Sequence, residues 1–125
     1  MEREYLLAAS LEIVRLLSEN DYDGLRSIGA LEYMSEDAVR FAISDYGENI
    51  DGYKGEVDPP VGEVAEGYAE HFSYISSEDG KTYWTYLDLY LDGIISERSD
   101  LTLICLCETE NDKVVRTVID DIHVM

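Results

Sequence analysis

The chain has 125 residues, the length of a single domain. Hydrophobic residues make up 46% of it, which suits a packed core and not a low-complexity chain. Against 28 Asp and Glu stand 9 Lys and Arg, and the resulting net charge of −19 excludes the basic face that a nucleic-acid or lipid-surface binder needs.

The opening residues Met1-Glu2-Arg3-Glu4 lack the basic start and unbroken apolar stretch of a secretory signal. No run reaches the ~18 apolar residues of a membrane span. A cytoplasmic protein is the expectation. Cys105 and Cys107 lie two apart in a strand-like run, which sets their Cα atoms roughly 6.6 Å apart at ~3.3 Å per residue. That is the upper limit of bridging geometry, so two reduced core thiols are expected. Zinc would require further soft ligands at zinc spacing, and no metal or cofactor is expected.

From residue 2 to residue 19, Leu6, Ala9, Ile13, Leu16 and Leu17 recur at helical spacing, widened by Leu7, Leu11 and Val14. Glu12, Arg15 and Glu19 fall on the opposite side at spacings that allow ion pairs. Asn20-Asp21 stops this helix, and Asp23 is placed to cap a short second one carrying Leu25 and Ile28. Ser35 is a good N-cap for a third, with Glu36 and Asp37 in its first turn and Gly47 suited to a left-handed C-terminal position. Residues 48–67 hold Gly52, Gly55, Pro59-Pro60, Gly62 and Gly67, and read as an irregular acidic connection with one short strand near 61–65.

From residue 68 the pattern is that of a sheet. A strand over 68–75 runs into Asp79-Gly80, a hairpin signal, and 83–91 returns from it. A third strand covers 100–109, and after the polar turn Glu110-Asn111-Asp112-Lys113 a fourth runs over 114–124. Alternation puts Tyr83, Thr85, Leu87, Leu89 and Leu91 on one side and Trp84, Tyr86, Asp88 and Tyr90 on the other. Both faces are largely apolar, so one meets the helices while the other curls around a cavity or meets a partner chain. Helices first (1–47) and strands last (68–125) is the α+β order.

Two blocks, Arg98-Ser99-Asp100-Leu101-Thr102-Leu103 and Asp120-Asp121-Ile122-His123-Val124, resemble those that close a family of small uncharacterised bacterial domains. The strand with Trp84 and the segment Asp21-Tyr22-Asp23-Gly24-Leu25 after the first helix fit that family as well. The order of elements is also similar to the nuclear transport factor 2-like superfamily, which implies a strongly curved, helix-lined sheet. That superfamily places a strand between its second and third helices, and residues 28–34 do not read as one. The resemblance implies no established reaction and carries over no catalytic residue.

Catalytic chemistry has three candidates. On a strand Asp121 and His123 point the same way, about 6–7 Å apart, as an Asp–His general base requires. Asp88 lies among Trp84, Tyr86 and Tyr90, and an acid walled by aromatic rings is made more basic by desolvation. The plain alternatives are an Asp that accepts backbone N–H bonds beside a half-buried His, and an Asp88 paired with Arg98 or Arg116. His71 stands alone, without a visible helper. The glycines follow no phosphate-loop spacing, and no G-x-S-x-G, H-E-x-x-H or calcium-loop pattern occurs.

Charge is more informative. Net charges are −6 over residues 1–47, −6 over 48–70 and −7 over 71–125, so the short middle segment is by far the densest. It carries Glu48, Asp51, Glu56, Asp58, Glu63, Glu66 and Glu70, with Tyr53 and Tyr68 among them. The expectation is a non-enzymatic acidic, tyrosine-bearing surface for a basic protein, in its most concrete form an immunity-type protein that masks a cationic bacterial toxin. Acidity that serves solubility alone is the bland alternative. The competing function is a small-molecule or isomerase/dehydratase-like pocket inside the sheet, with Asp88, Asp121 and His123 as polar groups and Trp84, Tyr86 and Tyr90 as walls. A homodimer through the aromatic sheet face is a third.

Overall fold

The computed structural model describes residues 1–94 and 98–124. Helices α1 (Arg3–Ser18), α2 (Tyr22–Ser27), α3 (Glu36–Tyr46) and α4 (Gly62–Glu70) precede strands β1 (Ser73–Ser76), β2 (Thr82–Asp88), β3 (Leu101–Glu110) and β4 (Lys113–Val124). The α+β order holds. The strands form one open antiparallel sheet in the order β1-β2-β3-β4. Among the described residues no helix is long and apolar enough to cross a membrane.

Helix α1 buries Leu6, Ile13, Val14, Leu16 and Leu17 and lies across β2, β3 and β4. Its one buried polar side chain, Ser10, shares a hydrogen bond of 2.8 Å with the Thr85 hydroxyl in the middle of the sheet. On its outer side Arg15 pairs with both Glu12 and Glu19, as the spacing predicts. The cap of α2 differs from the expected Asp23. Asn20 adopts a left-handed φ of 54°, and the chain turns early enough for Asp21 to accept from the Gly24 N–H at 2.8 Å. Ser35 caps α3 as expected, accepting from the Ala38 N–H.

Gly47 is not left-handed. Its φ is −108°, and what it supplies is space: an added Cβ would overlap the ring of Tyr53. The larger correction concerns residues 48–67. In place of an irregular connection with a strand near 61–65, a helix starts directly after Pro59-Pro60 and runs through residue 70. Val64 and Tyr68, four apart, are its buried anchors. Tyr68 therefore belongs to α4 and not to a first strand, and β1 is only four residues long.

Both short turns form as the sequence predicts. Gly80 takes a φ of 69° between β1 and β2, while Asn111 and Asp112 at 53° and 60° make the two-residue turn between β3 and β4. Tyr83, Thr85, Leu87, Leu103, Cys105, Cys107, Ile119 and Ile122 fill the inner face beneath the helices. Strand β2 ends at Asp88, earlier than expected. Leu91 then bridges to Val57, which draws the chain off the ladder towards α4. Register shifts at Ile104/Cys105 and Glu108/Thr109 bend the β3–β4 pair.

Candidate functional site

The acidic segment is sorted by the helix it contains. Glu48, Asp51, Glu56, Glu63, Glu66 and Glu70 are exposed, while Asp58 and Tyr68 are buried and Tyr53 is half-buried. Tyr68 has no exposure. Its hydroxyl donates to the Asp58 carbonyl and accepts from the Tyr90 N–H, each at 3.1 Å. Tyr53 donates to the Ile43 carbonyl on α3, and burial, followed by the nearby Asp92, pushes its pKa up to about 12. Asp58 accepts from the Gly93 N–H at 2.7 Å, its other oxygen has no partner, and burial raises its pKa. These three expected contact residues are structural, so the exposed surface is acidic without being tyrosine-bearing. On α4, Glu63, Glu66 and Glu70 follow spacings of three and four and form one stripe.

The outer face of the sheet gathers the catalytic candidates. Asp88 stands opposite Thr102, and Thr102 opposite His123; Tyr86, Ile104 and Asp121 form the next row. Two strand spacings of ~4.8 Å separate Asp88 from His123 by about 10 Å. Both oxygens of Asp88 are engaged, one accepting from the Thr102 hydroxyl at 2.7 Å and the other paired with Arg98. Arg98 thus holds Asp88 and not its neighbour Asp100, whose N–H donates to the Tyr46 hydroxyl. Asp121 lies 2.7 Å from His123 Nδ1 through one oxygen and accepts from the Ile122 N–H through the other. The expected Asp–His pair exists, about half exposed on the edge strand.

A cleft of about 430 Å³ on this outer face is lined by His71, Ser73, Ile75, Tyr86, Asp88 and Thr102. His123 borders a different cavity of about 410 Å³, against Phe41, Ala42 and Tyr46 of α3. The two acid centres share a face without sharing a pocket. Tyr90 is not a wall beside Trp84. It is buried, with its ring edge-on to Tyr68 at a centroid distance of 5.0 Å. The polar candidates line the outer face, while the inner one is filled by side chains.

Sequence reasoning missed that His71 lines the same cleft as Asp88, because that placement depends on how α4 delivers the chain into β1. It also missed two cavities. One of about 770 Å³ runs between Tyr5, Ala8 and Glu12 of α1 and the β4 edge at Val115. The other, of about 440 Å³, brings Arg40 and Lys54 together. Among the described residues no group of three or more His, Cys, Asp or Glu is arranged to hold a metal ion.

No curated protein and no solved structure matches the chain. A family model described as a domain of unknown function (DUF7668) matches residues 14–125. The chain belongs to that family.

Proposed function

We propose that this protein is a non-enzymatic binding module that docks a basic protein through the exposed acids of residues 48–70. One observation carries the reading: among the described residues Glu48, Asp51, Glu56, Glu63, Glu66 and Glu70 form no ion pair. Arg15, Arg26, Arg40, Arg98 and Arg116 all pair with carboxylates elsewhere. Like charges three and four apart on a helix cost ~0.2–0.5 kcal/mol per pair. Solubility alone is served equally well by dispersed acids, whereas a basic partner would relieve the repulsion and be drawn in by the field.

The narrowest form of this reading is an immunity-type protein that masks a cationic bacterial toxin such as a nuclease, whose phosphate-holding surface is basic. Small acidic inhibitors are the analogy. Helices followed by an antiparallel meander support kinship with the nuclear transport factor 2-like superfamily as the fold on which this surface is built.

The test is titration against basic nuclease domains at low and at high salt. Affinity is expected to fall at least about tenfold on raising salt from ~50 to ~500 mM, where the Debye length shrinks to a few Å. The triple variant Glu63→Gln, Glu66→Gln, Glu70→Gln is expected to slow association. Binding that ignores ionic strength, or no binding at low salt, sinks the proposal.

A second reading, a small-molecule site or isomerase/dehydratase-like enzyme, is favoured by the cleft at Asp88. It sits on the outer face, where His71 and Tyr86 line it together with the acid. Ligand-induced shifts confined to Ser73, Tyr86 and Thr102 would support it.

A further inference from the structure

We infer that the cavity between the end of α1, α3 and residues 54–57 is a binding site for a small organic anion, a phosphate or carboxylate carried on an apolar body. The inference rests on other observations than the acidic docking surface, with which the cavity shares Glu56. The cavity holds about 440 Å³ and is lined by Asn20, Tyr22, Arg40, Ser44 and Lys54, with Leu17 and Val57 as apolar wall. That volume lies in the range of small-molecule sites. Only nine Lys and Arg stand against 28 acids in this chain, yet two of the nine meet here.

The Arg40 guanidinium and the Lys54 backbone are held in place, and both cations have hydrogen-bonding capacity to spare. The Arg40 guanidinium lies 4.1 Å from the centroid of the Tyr22 ring and donates from Nε to Glu36 at 2.8 Å. Glu36 is itself shared with Arg26, so it does not neutralise Arg40 alone. Neither Nη of Arg40 has a partner among the described residues, which leaves a planar fork suited to an oxyanion. Lys54 is the only base in residues 48–70. Among the described residues its ammonium pairs with none of the surrounding acids.

The backbone that presents Lys54 is clamped. Asp92 accepts from the Lys54 N–H at 3.0 Å and from the Glu56 N–H at 2.9 Å. The Val57–Leu91 bridge and the Tyr53 hydroxyl on the Ile43 carbonyl pin its two ends. A cation on a fixed loop pays less ordering entropy when it closes on a ligand. One acid, Glu56, also lines the cavity, and it opposes an anion.

The test is an amide-shift titration of the full chain with phenyl phosphate, benzoate and the neutral benzyl alcohol. Either anion is expected to shift Ser44, Lys54 and Gly55, the tighter of the two assigning the headgroup, while benzyl alcohol leaves them in place. Lys54→Gln, on an exposed side chain, is expected to keep the melting temperature and weaken the anion about tenfold, the worth of one charge-assisted hydrogen bond. Glu56→Gln is expected to tighten it roughly twofold or more by removing a like charge. Benzyl alcohol binding as well as the anions, no shifts with either anion, or an unchanged Kd in Lys54→Gln overturns the inference.

Discussion

Replacing Tyr68 by Phe separates a core pillar from a surface contact. The ring would stay where it is, edge-on to Tyr90 and out of solvent, so little apolar burial is lost. What goes is the hydroxyl that links the Asp58 carbonyl to the Tyr90 N–H. A buried donor left without a partner costs ~1–3 kcal/mol, and the carbonyl loses a bond as well, so about 2 kcal/mol is expected. With an unfolding entropy of ~2.1 cal/mol/K per residue, the 125 residues give ~0.26 kcal/mol/K. The melting temperature should therefore fall by about 8 °C, read by calorimetry or circular dichroism. A surface tyrosine would move it by less than about 2 °C, since such changes stay within ~0.5 kcal/mol. A drop that small would refute the placement of Tyr68, and with it the helix over 62–70. Docking of a basic partner at low temperature is expected to be unaffected.

Gly67→Ala should destabilise although Ala is the better helix former by ~1 kcal/mol. Its Cβ would overlap the hydroxyl of Tyr90, which is buried against Tyr68; a raised melting temperature would show that the ring moves. Asp58→Asn tests the buried carboxyl. Burial lifts its pKa above the unfolded value of ~3.9, so its contribution is most favourable below that value and is lost as pH rises through the raised one. The Asn variant should melt higher than the parent at pH 7, with the gap closing towards pH 3.5; a gap independent of pH refutes the assignment. Cys105 and Cys107 are buried and free, and burial raises both thiols, Cys107 to about 11. Neither should react with a thiol reagent in the native protein, and both should react in urea; rapid native labelling would contradict the inner-face placement.

The elements that were legible in the sequence are those fixed by local rules. The first helix shows eight apolar residues on one side and the Glu12–Arg15–Glu19 pairs on the other, and both are present. Asp79-Gly80 and Asn111-Asp112 announce their turns through backbone conformations that few residues tolerate. Helix α4 was hidden for the opposite reason. Gly62 and Gly67 lower its propensity, the like-charge spacings Glu63–Glu66 and Glu66–Glu70 work against the helix preference of the glutamates, and only Val64 and Tyr68 mark its buried side. Tertiary burial of those two outweighs the propensity. Gly67, a breaker by composition, is required by its contact with Tyr90. For the sheet, alternation assigned the faces correctly up to Asp88 and failed at Tyr90, because the bridge from Leu91 to Val57 turns the chain off the ladder. No local signal encodes that bridge, or the placing of His71 and Asp88 on one cleft.

Burial of Tyr68 and exposure of Glu63, Glu66 and Glu70 follow from one cause, the 3.6-residue period of α4. This changes the physics of the proposed docking surface. With Tyr53 and Tyr68 turned inward, the surface lacks the rigid aromatic anchors that concentrate binding energy at an interface. What it retains is field, which acts mainly on the rate of encounter and falls with salt. Neutralising the α4 stripe should therefore slow association more than it speeds dissociation. It should also raise the stability of the free protein by a few tenths of a kcal/mol per relieved pair. A surface held at a cost to its own helix, and repaid only when a cation arrives, is what separates acidity used for docking from acidity used for solubility.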